Sequence, residues 1–308
     1  MISVSAHLSA EVAEQVGRLA RSATEVDGVA ALSEASRLAL PAPSPAGTHH
    51  VLAESASAAG LLGYAQVWPD HSAELVVAPS ARRQGIGTAL WEQCLETGAE
   101  RVWAHGDLAA ARAFAATLGL EPVRSLLKMG RPLTADDRSP RPLPMGYASL
   151  TFAERAPLSA DPVGELMRLN AAAFADHPEQ GRLTREDLEA RMAEPWFDLT
   201  GLIYVVESDA GGAEDSGEPE DPAAGPIAFH WTKVEPGSAA GEVYVVGVSP
   251  AYQGRGLAGP LTDLGLAHLV ERGCVEVELY VDGENTPART TYERAGLGVL
   301  TTDRVYAR

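Results

Sequence analysis

Two stretches of the 308-residue chain run from an apolar strand end through a proline into a glycine-rich turn that opens a helix. The first is Val77, Pro79 and Arg82-Arg83-Gln84-Gly85-Ile86-Gly87-Thr88. The second is Val248, Pro250 and Gln253-Gly254-Arg255-Gly256-Leu257-Ala258-Gly259. Small residues let a backbone approach a pyrophosphate closely, and the free N–H groups and dipole of a helix start stabilise its charge. Arg83 and Arg255 add a cation to each turn. A glycine pair alone would describe an ordinary turn. With the strand, the proline, the basic residue and the duplication, the pattern predicts an anion cradle in each half.

The elements that must hold these turns repeat as well. Val77 and Val248 stand at equivalent points 171 residues apart. Each turn is followed by a helical stretch, a short strand (RVWAH, 101–105; VEVELYV, 275–281), another helix and a Gly-Leu pair (Gly119-Leu120; Gly296-Leu297). A repeat this long means duplicated domains rather than a solenoid. The strands ELVV and VYVVGV are continuous apolar runs, as central strands covered on both faces tend to be. Ser9 is positioned to cap a helix carrying Val12, Val16 and Leu19 on one face. Asp161 before Pro162 reads as a cap with proline at the first helical position, and Thr184 with Asp187 as a capping box.

The proline-rich stretch 131–146 reads as an extended linker, which gives domains at 1–130 and 147–308. The acidic, Gly- and Pro-laden segment 208–225, between LIYVVE and IAFHWTKV, reads as a long mobile hairpin loop.

Charge and composition exclude several classes. With 24 Lys and Arg against 42 Asp and Glu, the formal net charge is −18, a poor balance for gripping a nucleic-acid backbone. MISVSAHLSAEVAEQ lacks the basic region and apolar run of a signal peptide, and no apolar stretch is long enough for a membrane span. Two cysteines, Cys94 and Cys274, do not make a disulfide framework. His49, His50, His105 and His177 share no metal-ligand spacing with them. The expectation is a cytoplasmic, metal-free, monomeric protein with no nucleic-acid or membrane partner.

Arg82-x-x-Gly85-x-Gly87 and Gln253-x-x-Gly256-x-Ala258, each after a V-x-P strand end, resemble the signature of the GCN5-related N-acetyltransferases (GNAT), which bind acetyl coenzyme A. The blocks VDGVAALSE (26–34), VWAHG (102–106), HPEQG (177–181), FHWTKV (229–234), GEVYVVGV (241–248) and ELYV…NTPAR (278–289) extend the likeness over nearly the whole chain, toward the tandem GNAT enzymes that make mycothiol. The resemblance implies an α/β fold of two GNAT domains, each a mixed, mostly antiparallel sheet flanked by helices. It implies transfer of acetyl from acetyl-CoA to the cysteinyl amine of cysteinyl-glucosaminyl-inositol, by direct attack in a ternary complex. Other readings are acetylation of another small amine or a protein amino terminus, and a CoA-sensing module without catalysis.

Site residues follow from the same likeness. Cofactor contacts are implied at Leu75, Val76, Val77 and Arg83 to Thr88 (Arg83, Gln84, Gly85, Ile86, Gly87, Thr88). In the second half they fall at Val246, Gly247, Val248, at Gln253, Gly254, Arg255, Gly256, Leu257, Ala258, Gly259, and at Asn285, Thr286, Pro287, Ala288, Arg289, Thr290. An ammonium must lose a proton before it attacks a thioester, and Glu242, opening the strand into the second cradle, is the expected base. Tyr292 stands where such enzymes place the acid for the leaving thiolate. Oxyanion donors are expected where VYVVGV splays, near Val248. Substrate contacts are implied at Glu34, Glu179, Lys233, Glu242 and Tyr280, with Glu34 making the cleft an interdomain one. His71, Leu108 and Ala115 stand opposite Glu242, Asn285 and Tyr292. The first half is therefore expected to bind CoA without turning it over.

Overall fold

The computed structural model describes residues 1–40, 45–55, 60–175, 180–208 and 225–308. In chain order the first elements are β1 (Ile2–Ser5), α1 (Ala10–Asp27), α2 (Glu34–Ala39), β2 (His49–Glu54), β3 (Leu61–Val67), β4 (Ser72–Val77), α3 (Ile86–Glu96), β5 (Arg101–Ala104), α4 (Ala109–Thr117) and β6 (Glu121–Pro132). They continue with β7 (Tyr147–Thr151), α5 (Phe152–Arg155), α6 (Pro162–Ala173), α7 (Arg185–Met192), β8 (Leu202–Glu207) and β9 (Ala228–Lys233). The last are β10 (Ala240–Val248), α8 (Ala258–Glu271), β11 (Glu276–Asp282), α9 (Thr286–Arg294) and β12 (Gly298–Ala307). Among the described residues no helix is long and apolar enough to cross a membrane.

Local signals set the helix starts. The Ser9 hydroxyl accepts from the Val12 N–H, Asp161 caps the Gly164 N–H ahead of Pro162, and Thr184 and Asp187 form both halves of a capping box. Each such cap satisfies donors that would otherwise cost about 1 kcal/mol.

Two compact units result: Met1–Leu127 with 282–284 and 301–308, and Lys128–Val281 with 285–300. Within unit 1 the strand order is β1-β2-β3-β4-β5-β12, and within unit 2 it is β7-β8-β9-β10-β11-β6. Among β1–β5 with β12, and among β7–β11, neighbouring strands run antiparallel except for one parallel pair in each set, β4 with β5 and β10 with β11. The orders match position for position, so the sixth strand of each unit comes from the other half of the sequence. Arg304–Ala307 pair with Ala104–Arg101, and Tyr306 packs in the unit 1 core with Val51, Leu90 and Trp91. In unit 2, Gly130 lies so close to Val277 that a Cβ would stand 2.6 Å from its carbonyl oxygen. The expected cut at 131–146 placed residues 301–308 with the second half. A boundary read from prolines and composition carries no information about which sheet a terminal strand joins.

The alternation of strand side chains divides the unit 1 core between two faces. Val51, Ala53, Ala65 and Val67 pack with α3, while Leu52, Tyr64 and Val76 pack with Val16, Leu19 and Ala23 of α1. In unit 2 one cluster gathers Leu166, Leu169, Trp196, Leu202, Tyr204, Phe229 and Trp231.

The stretch 131–146 is less extended than its prolines suggest. Residues 135–138 form a 3₁₀ turn capped by Thr134 and Asp137, and Arg131 holds Asp137 at 2.6 Å. Arg141 reaches Asp263 of α8 at 2.5 Å. Proline bars ladder hydrogen bonds but leaves side chains free to pack.

Candidate active site

The two glycine-rich turns superpose by sequence offset and by their bonds. In unit 2 the Gln253 amide donates to the Val248 carbonyl at 3.3 Å, and in unit 1 Arg82 Nε donates to Val77 in the same way. Arg82 also grips Asp27 with two bonds of 2.7 Å. Gly256 and Gly85 hold φ of 78° and 82°, the left-handed region that only glycine enters freely. Two positions earlier, Gly254 has φ 76° and Arg83, at the matching site, has φ 63°. Arg83 and Arg255 therefore do not occupy one place: the counterpart of Arg255 is Gln84, whose amide turns back to the Ser80 carbonyl. Arg255 donates to the Tyr147 hydroxyl at 3.1 Å and stacks over Tyr252. In unit 2 the turn runs exposed from Gln253 to Gly256, and Leu257 anchors it in the core.

Beside each turn the parallel strands part. In unit 2 the β10–β11 ladder runs only from Ala240 with Glu276 to Val243 with Leu279. Separation thus starts well before Val248, where the sequence placed it. The other side of β10 is irregular as well. Val243 pairs with Thr232 and Val245 with Trp231, so Tyr244 is an extra residue, a β-bulge that bends the strand and re-aims its side chains. In unit 1 the β3–β4 ladder runs without interruption from Gly63 with Val77 to Val67 with Ala73. The bulge distinguishes two otherwise matching sheets. Gly247 is buried against Phe229 and Ala173 at distances a Cβ could not tolerate, so its place in the expected cofactor set has a packing reason too.

Glu242 stands directly opposite Lys233 on β9 and Glu278 on β11. Paired residues on neighbouring strands share a face. Lys233 Nζ lies 3.9 Å from the Glu242 carboxylate and 3.1 Å from Glu235, with its side chain buried. Glu278 pairs with Lys128 of β6 at 2.6 Å, and Lys128 also lies over the ring of Tyr280, two residues on and exposed. Unit 2 thus brings Lys233, Glu242 and Tyr280 onto one region of one sheet. Trp196 and Tyr244, which sequence reasoning did not single out, complete it: Lys233 Nζ sits 5.1 Å from the Trp196 ring centre and 5.4 Å from that of Tyr244.

On α9, Tyr292 is buried, and that burial pushes its phenol up to about 12. The hydroxyl is neutral at physiological pH and keeps a proton to give. Asn285 caps the same helix by accepting from the Ala288 N–H, with Thr286 and Pro287 in the first turn. The Thr290 hydroxyl closes back on the Thr286 carbonyl and Arg289 pairs with Glu293.

Unit 1 encloses a cavity of about 560 Å³ running from its glycine-rich turn to β5. Leu75, Val76, Val77, Arg83, Gly85, Gly87 and Thr88 line it; Ile86 also packs into the core. Leu108 and Ala115 line it too, apolar where unit 2 has Asn285 and Tyr292. His71 lies in a turn with φ 67°, its Nδ1 2.8 Å from the Gly98 carbonyl. Glu34 opens α2, whose cap Ser33 donates its N–H to Glu74 at 2.8 Å. Glu179, with His177 and Pro178, lies outside the described residues, as do 209–224 of the expected loop.

At the end of the cavity, His105 is bracketed by two carboxylates, Asp303 at 2.9 Å and Glu74 at 3.6 Å. Burial alone would lower its pKa, but the Asp303 hydrogen bond and the two negative charges outweigh that and push it up to about 10. A folded pKa above the ordinary value of about 6.5 means stability fully present below that pH and lost as pH rises toward 10. Asp303→Asn should cost about 3 kcal/mol and flatten this alkaline decline, measured as the thermal midpoint from pH 6 to 10. An unchanged decline would remove His105 as its source. No sequence signal marks this trio, because its members are far apart along the chain.

Among the described residues no three His, Cys, Asp or Glu side chains are placed to hold a metal ion.

The acetyltransferase (GNAT) family profile matches the chain twice, at residues 19–120 and 166–297, one match for each glycine-rich turn. The chain belongs to the GNAT family. The mycothiol acetyltransferase of Propionibacterium freudenreichii is 39% identical over 303 residues, covering 97% of this chain and 90% of the relative. That of Geodermatophilus obscurus is 44% identical over 292 residues, covering 90% and 88%. Among solved structures, a tandem GNAT protein from the clavulanic acid biosynthesis pathway aligns over 100% of this chain and 98% of its own with a TM-score of 0.70 at 16% identity. A GNAT enzyme from Sphaerobacter thermophilus gives 0.66 at 22% identity, covering 100% and 95%. These two likenesses concern the fold. As in GNAT enzymes generally, the cosubstrate is acetyl-CoA.

Proposed function

We propose that the chain transfers acetyl from acetyl-CoA to the cysteinyl amine of cysteinyl-glucosaminyl-inositol, forming mycothiol, with the chemistry in unit 2. The observation that carries this reading is identity of 39–44% to mycothiol acetyltransferases along nearly the full chain. Three features support the choice of unit: the Tyr244 bulge, the carboxylate of Glu242 beside the parted strands, and a neutral Tyr292. The exposed stretch 253–256 fits a pyrophosphate because Gly254 and Gly256 carry no side chain to block its approach.

The step is one exchange at one carbon. The amine nitrogen bonds to the thioester carbonyl as the carbon–sulfur bond breaks. Glu242 accepts the proton shed by the amine, and Tyr292 donates one to the departing sulfur. Backbone N–H groups freed along 244–248 meet the charge that develops on the carbonyl oxygen. Lys233 and Tyr280 offer the polar contacts that a hydroxyl-rich substrate requires. Unit 1 holds CoA in the 560 Å³ cavity without turnover, since Leu108 and Ala115 supply neither acid nor polar contact.

A panel of amines tests the reading, with thiol release from acetyl-CoA as the signal. The cysteinyl substrate should exceed peptide amino termini and simple amino sugars by about 10²-fold or more in kcat/KM. Equal rates across the panel would refute it.

A further inference from the structure

We infer that Lys233 is a positioning residue for the catalytic base, fixed beside Glu242 by an aromatic box of Trp196 and Tyr244. The inference rests on the reading of Glu242 as base. Its observations are geometric. The Lys233 side chain is 7% exposed, which is rare for an ammonium and demands compensation. Compensation comes from two carboxylates, Glu235 at 3.1 Å and Glu242 at 3.9 Å, and from two ring faces within cation–π range. The rings brace each other, with centroids 5.0 Å apart. Arg191 of α7 donates to the Tyr244 hydroxyl at 2.9 Å and holds that ring in place.

Tyr244 stands two residues on from Glu242, so strand alternation sets both side chains on one face, and the Tyr244 ring lies against the Lys233 ammonium. Unit 1 has no bulge at this point, and there His71 stands in place of Glu242.

A fixed cation beside Glu242 does two things. It favours the ionised carboxylate, and it disfavours a second positive charge, so the bound substrate gives up its ammonium proton more readily. Among the described residues, the other charges near Glu242 include Glu278 of β11, already engaged by Lys128 of β6, Glu235 after β9, and Arg191 through Tyr244.

The test is the pH profile of kcat/KM in the full chain. Lys233→Met should move the acidic limb upward by about one to three pH units, while the KM for acetyl-CoA stays put. Lys233→Arg should restore most of it. Trp196→Leu should move the limb part of the way, and Tyr244→Leu gives the same readout should the tryptophan variant fail to fold. If Lys233→Met raises KM for the amine but leaves the limb in place, Lys233 is a substrate contact only and the inference falls. If Glu242→Gln itself leaves kcat unchanged, the assignment of the base falls instead.

Discussion

Glu242→Gln should lower turnover by about 10²–10⁴-fold, the range for loss of a general base. The amide keeps the shape of the carboxylate but cannot take a proton. Folding should survive, because Lys233 retains Glu235 at 3.1 Å as its partner. The loss should fall on kcat rather than on the KM for acetyl-CoA, whose cradle lies along 253–259. A decrease of less than about fivefold would leave Glu242 outside the chemical step.

Gly256→Glu should abolish activity, and Gly85→Glu should not. Both glycines hold a left-handed φ with open space where a side chain would begin, so packing does not forbid the change. Backbone strain contributes about 1–2 kcal/mol. The decisive effect is a carboxylate thrust toward a pyrophosphate. In unit 2 that repulsion removes the reacting thioester. In unit 1 it should only lower the CoA bound per chain, read by equilibrium dialysis. A Gly256→Ala control separates strain from charge. Comparable loss of turnover from both glutamates, with both proteins folded, would overturn the division of labour between units.

The parts of this architecture readable from sequence are those encoded locally. Ser9, Asp161 and Thr184 announce helix starts because a cap needs only a hydroxyl or carboxylate and a donor three residues on. The paired glycine turns are legible because left-handed backbone restricts residue type. Even so, Arg83 escapes that rule by standing at φ 63° where unit 2 has Gly254, which shifted the expected position of the cation. The bulge at Tyr244 was out of reach, because a bulge is defined by two residues facing one on a partner strand. The same holds for Trp196, which reaches Lys233 from the segment between α7 and β8, and for the His105 bracket. Side chains brought together by tertiary packing leave no spacing to read.

The exchange of sixth strands has a consequence for the order of events during synthesis. Every residue of unit 1 up to Leu127 has left the ribosome long before 301–308 appear. At about 5–20 residues per second, the wait is on the order of ten to thirty seconds. Through that interval β5 presents an unpaired edge, the kind of surface that recruits the wrong strand. The lag makes nascent unit 1 dependent on whatever shields that edge until Arg304–Ala307 pair with Ala104–Arg101.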